Sequence, residues 1–148
     1  MKFSSPKLAV LMLVLALCCT LVIPSATAQR LSDKDVEALL GNLKSDTKKF
    51  RSSFNSAVSK STIRKTSQEK DAKALVERFE KQTESALDEF KDKKKLDGAL
   101  TTMLSTATQI DGLLTATPMG DQTTSDWARV KTELSQLAKQ FDVTYPSS

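Results

Sequence analysis

From Gln29 to Thr117 the chain has no proline, and glycine interrupts it only at Gly41, Gly98 and Gly112. Proline removes a backbone donor and ends regular structure, while glycine supplies most tight turns. A stretch this long with so few breakers cannot reverse often enough to build a sheet from short strands. Its alanines, leucines, lysines and glutamates are good helix formers. The chain is therefore read as long helices.

Four segments carry apolar residues at i, i+3, i+4, i+7, the mark of an amphipathic helix. The first spans about 32–60, with Ser32 and Asp35 spaced as a capping box and Leu31 and Val36 spaced as a hydrophobic staple. Its stripe is Val36, Leu39, Leu40, Leu43, then Phe50, Phe54, Ala57 and Val58. The second spans about 67–94 behind a Thr66–Glu69 capping pair, with Thr83 filling the middle turn of its stripe. The third spans about 97–115. The fourth spans about 125–142, with Trp127, Val130, Leu134, Leu137, Ala138 and Phe141 on one side. Between them "TATPMGDQTT" (115–124) reads as a loop, and Val143–Pro146 as an extended end laid on the helices. Two long helices followed by two shorter ones predict an all-α fold, an antiparallel up-down-up-down four-helix bundle.

Before the bundle, Lys2 and Lys7 precede an apolar run from Leu8 to Ile23, and Pro24-Ser25-Ala26-Thr27-Ala28 follows it. This order describes a secretory signal peptide, with cleavage after Ala28. The domain reading is thus a leader over 1–28 and a bundle over 29–148. The run is shorter than the roughly 20 residues a spanning helix needs, so no transmembrane span is expected in the mature chain. The chain's two cysteines, Cys18 and Cys19, lie inside this leader. Neither follows the small residue that a lipoprotein signal requires, so they read as apolar filler in a discarded segment. Losing Lys2 and Lys7 from a formal charge of +4 leaves +2 on a cysteine-free mature chain.

The chain has no histidine. That removes the commonest general base and metal ligand, along with every Ser-His-Asp or Cys-His arrangement. Helical bundles of the di-iron and haem-binding kinds also need histidine. Single, scattered glycines make no phosphate loop. The expectation is a protein without enzymatic activity, cofactor or metal.

Three constellations remain. Glu77, Glu80, Glu84 and Asp88 have metal-ligand spacing, but the helical wheel turns them roughly 120° from the second stripe, so they are expected to face solvent. "KSTIRK" and "KDKKK" place Lys60, Arg64 and Lys65 in a helix–helix turn, and Lys91, Lys93, Lys94 and Lys95 at a helix end. These are candidate contacts for an anionic lipid or envelope polymer; the low net charge argues against nucleic acid. Asp111 falls about 60° from the centre of the third stripe and needs a partner if buried. Trp127, Lys131 and Arg64 are its candidate donors, making either a structural lock or a ligand contact.

Ile110-Asp111, Trp127, Leu134, Leu137-Ala138, Phe141 and Val143 together resemble small exported helical-bundle proteins of acidobacterium-like bacteria, although Tyr145-Pro146 departs from their aromatic ending. The resemblance implies the fold and no activity. The functional expectation is an exported binding or structural protein of the cell envelope, a monomer or weak oligomer in the periplasm or outside the cell. Two alternatives are a chaperone- or stress-sensor-like bundle with an apolar groove, and a small-ligand carrier with a cavity around Met103, Asp111 and Trp127.

Overall fold

A computed structural model describes residues 30–145. The leader expected over 1–28, its expected cleavage site and Pro146 lie outside the described residues. Within them the chain forms helices α1 (Asp33–Val58), α2 (Ser67–Lys93), α3 (Asp97–Ala116) and α4 (Asp121–Gln140). No strand occurs among the described residues, and none of these helices is long and apolar enough to cross a membrane.

Local chemistry sets the helix ends. Ser32 and Asp35 complete a reciprocal capping box, which satisfies two amides at the start of α1. Thr66 accepts the Glu69 amide at the start of α2. At the end of α4, Asp142 takes a left-handed conformation (φ 53°). Val143 N–H then reaches Ala138 O at 2.9 Å, and Asp142 N–H points to Lys139 O at 3.4 Å. That is a Schellman stop, and it turns the chain back towards the helices.

Each long helix packs through its apolar stripe. α1 lies against both α2 and α4, α2 against α3, and α3 and α4 share the shortest seam. Phe50, Phe54, Phe79 and Phe90 are completely or almost completely buried, each contributing roughly 2–3 kcal/mol through removal from water. Val143 and Tyr145 of the extended end pack against this core.

The structure corrects the sequence reading at three places. α4 begins at Asp121, not Ser125, so the loop shrinks to Thr117–Gly120. Gly120 holds φ 83° at the N-cap position, a conformation that penalises any side chain. The extra turn buries Thr123, and its Gln122 Nε2 donates to Oδ1 of the buried Asp126 at 3.0 Å.

Second, the acidic row of α2 does not simply face solvent. Glu80 is buried and paired with Arg51, while Glu84 meets Lys44 at 3.4 Å and Lys48 at 3.1 Å. Glu80 and Glu84 border α1, whose basic edge answers them, while Glu77 pairs with Lys81 on its own helix and Asp88 is exposed as expected. Third, Thr47 fills the gap between Leu43 and Phe50 on the α1 stripe, fully buried with its hydroxyl unpaired.

Candidate functional site

Asp111 stands five residues before the end of α3, and Trp127 six residues after the start of α4. With only Thr117–Gly120 between the helices, the two side chains reach the same level. Trp127 Nε1 donates to Asp111 Oδ1 at 2.8 Å, and Lys131 Nζ, one turn further along α4, approaches the same oxygen at 3.0 Å. The Asp111 side chain is only 16% exposed. A carboxylate this buried needs donors, and here a neutral donor and a cation supply them.

The indole is itself fixed by packing. Its ring sits 4.8 Å from Phe50 and 5.5 Å from Phe79, centroid to centroid, tilted against the first and edge-on to the second. Met103 is fully buried in the core. Trp127 therefore joins an aromatic cluster spanning α1, α2 and α4 to a polar contact on α3.

The extended end completes the cluster. Tyr145 is half-buried with its hydroxyl beside Asp111, yet that hydroxyl meets no partner in hydrogen-bond geometry. Burial first, and then the Asp111 carboxylate, push the phenol up to about 12. Arg64, the third candidate donor, is exposed in the α1–α2 turn and is not among the partners of Asp111.

The basic residues fall into two separate sets at the two ends of α2, a helix about 40 Å long. At its C-terminal end Lys91 and Lys94 approach Glu37 at 3.9 and 3.8 Å, and Lys93 approaches Glu89 at 3.8 Å. Lys94 also lies 5.3 Å from the centre of the Phe90 ring. Lys95 is exposed, but Asp92 and Asp97 flank it in sequence. This end is basic in composition and close to balanced in charge.

The α1–α2 turn differs. Lys60, Arg64 and Lys65 are all exposed. The nearest acid in sequence, Glu69, is already engaged: it accepts from Lys65 N–H and from Lys73 Nζ, both at 2.5 Å. Those two bonds hold its carboxyl below the usual range, the Lys73 bond contributing most. Lys65 has φ 62°, which projects it from a tight turn. Ile63, between the cations, is buried and anchors the turn.

Sequence reasoning missed one more titratable group. Glu133 on α4 has a buried Oε2 with no hydrogen-bond partner. Burial, with a smaller push from Asp46 on α1, raises its pKa from 4.5 to about 7. Asp46 is itself paired with Lys49 at 2.7 Å. The available signal was a glutamate beside Leu134 on the α4 stripe.

Among the described residues no three acidic side chains converge on a point that would hold a metal ion. No family model, curated protein or solved structure matches the chain.

Proposed function

We propose that the chain is an exported, non-enzymatic binding protein of the cell envelope. In this reading the leader is cut after Ala28, and the mature protein is an up-down-up-down bundle that holds an anionic polymer at its α1–α2 turn. The observation that carries the binding surface is the unequal neutralisation of the two basic sets. Lys60, Arg64 and Lys65 are left to solvent, whereas Lys91, Lys93 and Lys94 are met by Glu37 and Glu89. The alternating direction is supported by the ion pairs between α1 and α2: Glu37 meets Lys91, Lys44 meets Glu84, and Arg51 meets Glu80. As one number rises the other falls.

Exposed cations attract a polyanion through many weak contacts and lose it to salt. Retention on immobilised polyphosphate at low salt tests the idea. Replacing Lys60, Arg64 and Lys65 together by glutamate should abolish retention, and replacing Lys91, Lys93 and Lys94 should change it little. Equal retention of the first variant and the wild type defeats the assignment. Intact mass of the exported protein tests cleavage after Ala28 separately.

The ligand-carrier alternative finds less support. Trp127 is held between two phenylalanine rings, and Asp111 Oδ1 already receives two donors.

A further inference from the structure

The outer surface formed by α2 and α3 is organised in a way that neither its own packing nor polyanion binding uses. On α2, Ala74, Arg78, Lys81, Ser85, Asp88 and Asp92 are all exposed and recur at alternating steps of four and three. That spacing keeps them on one line along the helix. Between Ala74 and Asp92 the line is segregated by charge, with Arg78 and Lys81 before Ser85, and Asp88 and Asp92 after it; the exposed Asp71 lies one step beyond that stretch. Lys81 has an ion pair with Glu77 at 3.0 Å. Arg78, Asp88 and Asp92 take part in no ion pair among the described residues.

Alongside this line α3 is neutral. It carries no charged residue between Asp97 and Asp111, and its exposed side chains there are small or uncharged. Thr102 and Thr108 donate their hydroxyls back to Gly98 O and Leu104 O, at 2.9 and 3.0 Å. Between the two helices runs an open groove of about 620 Å³, bordered by Ala74, Arg78 and Ser85 on one side and Ala99 and Thr102 on the other. It is followed by a second groove of about 410 Å³ that Arg78 also borders.

We propose that this face binds a second copy of the chain, with the two α2 helices crossing antiparallel near Ser85. A twofold interface brings the same surface of each copy together. A parallel crossing would set Arg78 and Lys81 against their own equivalents. An antiparallel crossing sets the basic half of each line against the acidic half of the other. Ser85 lets the backbones approach at the centre, and the uncharged α3 surfaces flank the crossing without like-charge repulsion. The contact uses none of Lys60, Arg64 and Lys65, so it stands or falls apart from polyanion binding.

Sedimentation equilibrium of the purified protein tests this, with circular-dichroism melting to verify that each variant is folded. The wild type should form a dimer that weakens about tenfold between about 50 and 500 mM salt, because exposed charge pairs are screened. Reversing the basic half (R78D with K81D) or the acidic half (D88K with D92K) should each give a monomer. Mixing the two folded variants should restore a heterodimer, since one face is then wholly acidic and the other wholly basic. The proposal is overturned by a wild type that stays monomeric, by a dimer that ignores both reversals, or by variants that do not pair when mixed.

Discussion

Asp111 and Glu133 are both partly buried acids on the same bundle, and the protein treats them oppositely. Asp111 receives the Trp127 indole N–H and the Lys131 ammonium at one oxygen. Glu133 has a buried oxygen with no partner and faces a second acid, Asp46, across the α1–α4 contact. Burial alone therefore does not decide what a carboxylate contributes; the donors delivered to it do. At Asp111 the short α3–α4 loop delivers them from two successive turns of α4. At Glu133 the pull of Lys49, which is itself paired with Asp46, does not offset burial.

The sharpest way to break the contrast is Asp111→Ala. It leaves the Trp127 N–H and the Lys131 ammonium without their acceptor, and should cost about 3 kcal/mol in urea or thermal unfolding. Asp111→Asn keeps an acceptor for the indole and should cost less. A full-strength melt for the alanine variant would remove the cluster as a stabilising element.

Glu133→Gln should do the reverse. The folded-state pKa is raised, so the folded protein holds the proton more tightly than the unfolded chain does. The stability linked to this group is full below about 4.5 and is lost as pH rises through about 7. Glutamine stays neutral throughout. The variant should match the wild type near pH 4 and exceed it by about 1 kcal/mol above pH 8, a figure discounted because the side chain is only partly shielded from water. Parallel stability curves for the two proteins would show that Glu133 titrates normally.

The smallest effect is expected from Asp46→Asn. Burial outweighs Asp46 in raising the Glu133 pKa, so removing the neighbouring charge should bring that pKa down by less than half of its displacement. Carbon-detected NMR titration of the Glu133 carboxyl measures this directly. A return to the ordinary value would mean that charge repulsion, not desolvation, separates the two sites.

The all-helical architecture and most of the core were legible in the sequence because an apolar stripe at helical spacing has few other uses. The meeting of Asp111 with Trp127 and Lys131 was legible too. Asp111 sits at the margin of its stripe, and a short loop brings the two helix ends level. Glu80 was not legible. A helical wheel gives the angle of a side chain but not which neighbour stands at that angle, and Arg51 lies 29 residues away. The early start of α4 was hidden because Asp121, Gln122 and Thr124 are ordinary loop residues by composition. Only the cap geometry at Gly120 marks them as helical. Thr47 and Glu133 were missed because each is a polar residue beside an apolar stripe, and the stripe was read from its apolar members.

At the start of the bundle, Gln140 forms a double clasp on Leu31: its Oε1 accepts the Leu31 amide at 2.8 Å, and its Nε2 donates to the Leu31 carbonyl at 3.1 Å. Arg30 and Asp142 add an ion pair at 2.9 Å beside it. A chain emerging with its N-terminus first can close the α1–α2 hairpin early, because those contacts are local. It cannot cover the other flank of α1 until Gln140 has been made. The α4-facing flank of the first helix thus stays open until residues 121–140 have followed it out. The packing of α1 is thus finished only when α4 arrives, and the Gln140 clasp latches it.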